Sequence, residues 1–291
     1  MDRYKRIFEQ NLHLAIEKMG PKTQLRDACE YALTGTGKRL RPLIVLLIAE
    51  AIGFLDVMPA AVGVEFFHTA SLIADDLPCM DNDSLRRGKP ALHKVVGESV
   101  AILASYTLIA GGYGAIYQNG ARMKQYPEYA SSADQRTVLC LEAATRCAGI
   151  QGATQGQFLD LFPPNATEST IRDIIYKKTV TLFEISFLFG WLFGGGDVSA
   201  IPQLCACAYH LGMAFQIGDD LEDALQDASH AGEINIARVL GKEKATALFG
   251  EEVARLEDQL KALALWTKPF QALVERLNSR QSFFSNAGLT S

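Results

Sequence analysis

Apolar residues recur at three- and four-residue intervals along almost all of this 291-residue chain, and strict alternation is hard to find. That spacing belongs to helices rather than strands. It predicts helical stretches near 3–19, 42–53, 60–77, 98–117, 135–160, 168–193, 200–225, 234–248, 249–264 and 269–279. Two runs, 43–48 and 183–193, are apolar nearly all round, which puts them in an inner layer covered by other helices. Pro59, Gly88-Lys89-Pro90, Pro127, Pro163-Pro164 and Gly194-Gly195-Gly196 punctuate the gaps, with no internal repeat, low-complexity tract or long linker. The expectation is one all-α domain over 1–291, a multi-helix bundle around a central cavity.

An apolar content of 48% supplies a substantial core, and a net charge of −5 gives no basic field for nucleic acid. The six cysteines form no CxxC pair, and no His/Cys set has zinc spacing. The first twenty residues alternate charge with apolar side chains and lack a signal-peptide core. No run reaches the ~18 to 20 apolar residues of a membrane span; the strongest, 185–196, is too short. These features predict a soluble, cytoplasmic chain with no membrane span.

Two acidic clusters end apolar helical runs: Asp75-Asp76-Leu-Pro-Cys-Met-Asp81 and Asp219-Asp220-Leu-Glu-Asp223. Carboxylates crowded at such places repel one another and lose hydration, so a cation is needed to offset them. Hard oxygen donors favour Mg2+, which usually bridges to a phosphorylated substrate. Asp219 and Asp223, four residues apart, share one helix face and can serve one ion; the bland reading is a solvated acidic surface. Asp75 and Asp81, six apart, do not align on a helix, and Pro78 disfavours one. The helix is therefore expected to end near Leu77, with Asp81 swinging back beside Asp75.

Basic groups flank the first cluster. Gly37-Lys38-Arg39-Leu40-Arg41-Pro42 opens an apolar helix with Pro42 at its first position, where backbone N–H groups would reinforce Lys38 and Arg41 as an anion site. Arg86-Arg87-Gly88 follows the acids, ready to pair with them or to hold a diphosphate. A nucleotide P-loop is excluded, since Arg39 occupies the Ser/Thr position and no strand precedes it. His68 lies two helical turns before Asp75; a lone His on an apolar helix is more often core, but beside a diphosphate it is a donor. Lys178-Thr179 lies within a helical stretch, and Gln216 is one turn before Asp220, able to turn its amide oxygen inward.

In order, these residues resemble the short-chain trans-polyprenyl diphosphate synthases over nearly the whole chain. Residues 37–42 are similar to the family's GKRxRP, 75–88 to its first aspartate-rich motif, and Gly156-Gln157-x-x-Asp160, Lys178-Thr179 and 215–223 to further motifs. The resemblance implies an isoprenoid-synthase fold, a homodimer, and a transferase joining isopentenyl diphosphate to dimethylallyl, geranyl or farnesyl diphosphate. It implies Mg2+ at Asp75, Asp76, Asp81, Asp219, Asp220 and Asp223. Lys38, Arg41, His68 and Arg87 would bind isopentenyl diphosphate, and Arg86 the allylic diphosphate. Lys178, Thr179 and Gln216 would bind substrate and stabilise the cation. The chain departs from the family at Ala74, Ser84, Ser105-Tyr106 and Glu233, the last where a phosphate-contacting Lys is usual, with Lys242 or Lys244 nearby.

Ser71 and Ala70, four and five residues before Asp75, are small, and Phe67, ~12 Å below on the same face, is the first bulky floor for a growing chain. A twenty-carbon product is expected, with fifteen carbons next and Tyr106 able to shorten the tunnel. Two rival readings remain: a terpene cyclase, which has no need of Lys38, Arg41 and His68, and a non-catalytic subunit tuning a partner synthase.

Overall fold

A computed structural model of the chain describes residues 1–53, 56–226 and 235–286. Glu233 lies outside the described residues. Packing groups the chain into two compact units, Met1–Thr145 with Leu188–Asp197, and Arg146–Phe187 with Val198–Ser291.

The first unit holds α1 (Asp2–Glu17), α2 (Gln24–Leu33), α3 (Leu40–Ala51), α4 (Met58–Asp75), a hairpin of β1 (Leu85–Arg86) and β2 (Lys89–Pro90), α5 (Leu92–Val96), α6 (Glu98–Met123), α7 (Pro127–Ala130) and most of α8 (Ala133–Ala148). Residues 43–49 of α3 are all buried, as an inner helix requires. The most extensive pairing joins α4 to α6. Gly111 and Gly112 make room there for the rings of Phe66 and Phe67: a Cβ on either glycine would meet a ring carbon within 3 Å. Ser105 adds a hydrogen bond to the Ala70 carbonyl at 3.0 Å.

The second unit holds α9 (Ala153–Leu161), α10 (Glu168–Ile175), a π-helical turn (Tyr176–Val180), the first half of α11 (Thr181–Phe193), α12 (Ile201–Gln226), α13 (Ile236–Leu240), α14 (Lys242–Ala262) and α15 (Lys268–Asn286). Its main pairing is α12 on α14, where Leu211, Ala214, Ile217 and Leu221 join Phe249, Val253 and Leu256 in the buried core.

Several element boundaries differ from the expected ones. Helices α2, α5 and α7 were not anticipated; α2 is short and capped by Thr23, whose hydroxyl accepts from Arg26 N at 3.3 Å. The stretch 135–160 breaks into α8 and α9 at Gly152, where a Cβ would collide with the backbone of Cys147. Conversely, α14 runs unbroken through Gly250. Helix α3 begins at Leu40, two residues before Pro42, because Arg39 enters it in the left-handed region at φ 54°. Among the described residues two helices, Glu98–Met123 and Val198–Ala224, are long and apolar enough to cross a bilayer on length and composition alone, where the sequence predicted none. Core helices of globular proteins meet the same description.

Candidate active site

Helix α4 stops at Asp75, and the chain then turns back on itself. Asp81 N–H donates to the Asp75 carbonyl at 2.9 Å, and Asn82, at φ 55°, donates to the Leu77 carbonyl at 3.1 Å. The excursion inferred from the six-residue spacing is thus a closed turn that brings Asp81 beside Asp75. Asp75 is half-buried and Asp81 exposed. Asp76 points elsewhere: it is 3% exposed, and its Oδ1 accepts from Arg86 Nε at 2.8 Å and from Nη2. Arg86 Nη2 also reaches Asp83 Oδ2 at 2.8 Å. Burial raises the Asp76 pKa, with Arg86 pulling it back.

Arg87 goes the other way. It and Gly88 form the two-residue connection of the β1–β2 hairpin, both at positive φ (55° and 77°), as the primed hairpin turns require. Consecutive arginines therefore diverge, Arg86 to the acids and Arg87 to His68. His68 Nε2 lies 3.3 Å from Arg87 Nη2 and 3.4 Å from Arg41 Nη1. A guanidinium only donates, so Nε2 must accept and the imidazole is neutral, protonated at Nδ1. Enclosure and then the neighbouring arginines push its pKa well below the ordinary value. The result is a compact positive patch of Arg41, Arg87 and neutral His68.

Lys38 is exposed at the mouth of the same loop, where it helps line a shallow cavity of about 430 Å³ with Lys5 and Glu9. Lys5 Nζ holds the Gly37 carbonyl at 3.0 Å. Between Lys38 and Arg41, Arg39 turns inward. It is 3% exposed, donating from Nη1 to Glu65, from Nε to Glu9 at 2.8 Å and from Nη2 to the Leu33 carbonyl at 2.6 Å. Sequence reasoning gave no role to Arg39 or Glu65; the left-handed φ that sorts one arginine inward leaves no sequence mark.

Phe67 is buried, edge-on to Tyr113 with centroids 5.1 Å apart, and Ala70 is 1% exposed. Ser71 donates to the His68 carbonyl at 2.9 Å. Tyr106 is 64% exposed, and it is its neighbour Ser105 that faces Ala70 from α6.

In the second unit the π turn sets the geometry. It widens the helix by one residue at Lys178-Thr179, a distortion frequent at functional sites. Gly156 on α9 lies directly against the Lys178 backbone, and one turn later Asp160 Oδ2 accepts from Lys178 Nζ at 2.5 Å. Thr179 Oγ1 donates to Gln216 Oε1 at 2.9 Å, and Gln216 Nε2 donates to Asp220 Oδ1 at 2.9 Å. The Gln216 oxygen thus accepts from Thr179, with a second lone pair left over. Asp220 Oδ2 accepts from Ile236 N at 2.8 Å, and Asn235 Nδ2 donates to the Asp220 carbonyl at 2.9 Å. Asp220 is 7% exposed, and burial raises its pKa to about 6 despite these donors. Asp219 Oδ1 accepts from Arg280 Nη2 at 2.8 Å, and Asp223 is exposed.

Each acidic motif thus divides. Asp76 and Asp220 are buried and committed to protein donors, while Asp75 with Asp81 and Asp219 with Asp223 lie nearer solvent. Among the described residues no group of three His, Cys, Asp or Glu side chains is gathered closely enough to hold an ion by itself. Pairs of carboxylate oxygens nonetheless fit magnesium, which is commonly bound through one or two carboxylates, waters and substrate phosphate.

The family model described as polyprenyl synthetase matches residues 22–268. The heterodimeric geranylgeranyl pyrophosphate synthase large subunit 2 of Arabidopsis thaliana is 31% identical over 84% of this chain and 67% of its own length. The mitochondrial geranylgeranyl pyrophosphate synthase 10 of the same plant is 33% identical over 80% and 70%. Among solved structures, a geranyltransferase from Legionella pneumophila matches with a TM-score of 0.78 at 28% identity, over 97% of this chain and 98% of that one. A farnesyl/geranylfarnesyl diphosphate synthase from Zymomonas mobilis matches at 0.76 and 28%, over 89% and 92%.

Proposed function

The chain belongs to the polyprenyl synthetase family, and we propose that it condenses isopentenyl diphosphate with allylic diphosphates to give a short-chain all-trans prenyl diphosphate. The observation that carries this reading is the divergence of Arg86 and Arg87. One hairpin presents an arginine to the acidic turn and the next arginine to His68 and Arg41. In this reading a metal–diphosphate site and a metal-free anion site would stand side by side in one unit, which suits two diphosphate substrates. A cyclase has one diphosphate to hold and no use for the second.

In this reading Arg41, His68, Arg87 and Lys38 hold isopentenyl diphosphate, the guanidinium groups by charge-assisted hydrogen bonds. Neutral His68 keeps both arginines aimed without adding a repelling charge. Asp75 with Asp81, and Asp219 with Asp223, would hold magnesium, with Asp76 and Asp220 as their buried supports and Arg86 beside the allylic diphosphate. Bound there, magnesium supplies charge neutralisation for the departing diphosphate. Asp160 holds the Lys178 ammonium, so that the backbone carbonyl of Lys178 with the oxygens of Thr179 and Gln216, locked together and to Asp220, would face the developing allylic cation as preoriented dipoles that cost no reorganisation at the moment of reaction.

We assign a twenty-carbon product, supported by the small Ala70 and Ser71 and by the geranylgeranyl names of the relatives. Ala70→Phe is expected to shift products toward shorter chains, read by chromatography of the dephosphorylated alcohols; unchanged chain length removes Phe67 and Ala70 from the floor. Homodimerisation is supported by α6, whose outer face exposes Leu103, Tyr106 and Tyr117 at 51%, 64% and 73%. A cytoplasmic setting is supported by six unpaired cysteines. The test is labelled isopentenyl diphosphate with dimethylallyl, geranyl and farnesyl diphosphates in turn. Incorporation into an acid-labile prenyl product is expected. Its absence with all three primers, or a cyclic hydrocarbon from an allylic diphosphate alone, would overturn the reading.

A further inference from the structure

The second acidic motif has a cationic partner far away in sequence. Arg280, on α15, donates from Nη2 to Asp219 Oδ1 at 2.8 Å and from Nε to Glu222 Oε1 at 2.9 Å. The guanidinium is seated rather than merely nearby. Gly218 leaves the notch for it: a Cβ there would lie 2.9 Å from Arg280 Cζ and 2.9 Å from the Phe249 ring. The Phe284 ring centroid is 5.8 Å from Cζ on another side. The side chain is only 22% exposed. An ordinary surface ion pair has no such enclosure and contributes little.

We infer that Arg280 is a positioning residue for Asp219: its fork fixes the rotation of that carboxylate so that it meets magnesium in one orientation, while Glu222 holds the fork. The inference rests on the metal–diphosphate reading above and assigns to it a residue that none of the family-like motifs contains. Carboxylates that bind metals are themselves held by second hydrogen bonds, and losing such a partner typically weakens metal binding ten- to hundredfold. Simple charge cancellation would predict the reverse, since removing a cation would favour Mg2+. Glu222 argues against cancellation: with Asp219 and Arg280 it leaves the trio at a net −1, still attractive to a cation. What Arg280 adds is direction, through a planar fork that lysine cannot reproduce.

The test is a magnesium titration at fixed inorganic diphosphate, following the melting temperature of the full-length protein, so that no turnover is read. Arg280→Gln is expected to raise the magnesium concentration at half-maximal stabilisation by roughly ten- to hundredfold, with a much smaller change in the metal-free melting temperature. Arg280→Lys keeps the charge but cannot span both carboxylates, and is expected to stay displaced by about tenfold. It carries the test if Arg280→Gln does not fold. A midpoint for either variant equal to or below that of the wild type overturns the assignment while the functional reading stands. A wild-type protein that ignores magnesium and diphosphate together overturns both.

Discussion

The two acid-bearing regions are built to one plan and stabilised in two ways. In each, an apolar helix carries an Asp-Asp pair whose second member is buried, Asp76 at 3% and Asp220 at 7%; α4 stops at its pair, while α12 runs on to Gln226. In each, a five-residue helix follows, then a glycine, then a long helix: α5, Gly97 and α6 in one, α13, Gly241 and α14 in the other. The glycines match closely, at φ 81°, ψ 160° and φ 80°, ψ 150°. The sequence shows no repeat, yet this helix–glycine–helix corner occurs in both. The difference lies in the counter-charge. The first region finds its cation ten residues away, Arg86 for Asp76. The second recruits Arg280 from 61 residues away and a backbone N–H from 16. One motif is self-contained; the other is assembled by the fold.

Three experiments press on that comparison. The largest effect is expected from the outer aspartates. Asp75→Asn and Asp219→Asn should each lower isopentenyl diphosphate incorporation by about 10³-fold with helical circular dichroism intact. Equal losses from Asp76→Asn and Asp220→Asn would erase the division between outer ligands and inner supports.

The matched corners come next. A Cβ at Gly97 or Gly241 meets nothing within 4 Å, so replacement is penalised through the backbone alone. Gly97→Ala and Gly241→Ala should each destabilise by up to roughly 3 kcal/mol in denaturant unfolding, since that region of φ/ψ is open essentially only to glycine. Unequal values would show that the repeat is only superficial.

The smallest effect is electrostatic. Burial holds Asp220 at about 6, above its ordinary 3.8. Between those values the folded chain keeps a proton that the unfolded chain has released. The stability tied to that proton is therefore complete below about pH 4 and lost as pH rises through 6. In metal-free protein, the wild-type minus Asp220→Asn difference should decline by roughly 1–2 kcal/mol across that window. Asp76 shares the direction of shift, and a flat difference curve would place Asp220 in a wetter setting than its burial indicates.

The same contrast explains what could be read in advance. The helical class followed from apolar spacing, and the Asp75–Asp81 turn from Pro78 and a six-residue interval, because causes and effects lie within one or two turns of each other. Arg39 was not readable: its partners Glu9 and Glu65 sit 30 and 26 residues away, and nothing in Lys-Arg-x-Arg says which side chain turns inward. Nor was Arg280 visible in an amphipathic terminal helix. The Thr179–Gln216 bond was not legible either, because the two residues lie 37 apart and Thr179 is aimed by the π turn.

That turn has a consequence for how the chain tolerates change. Residues 176–180 carry one more residue than an α turn would, so a single deletion there would restore a regular rod while spinning α10 by about 100° relative to α11. Lys178 would swing off Asp160 and Thr179 off Gln216 together. A straighter, locally more comfortable helix would thus be out of phase with everything it serves, and insertions or deletions here are intolerable for reasons of rotation alone.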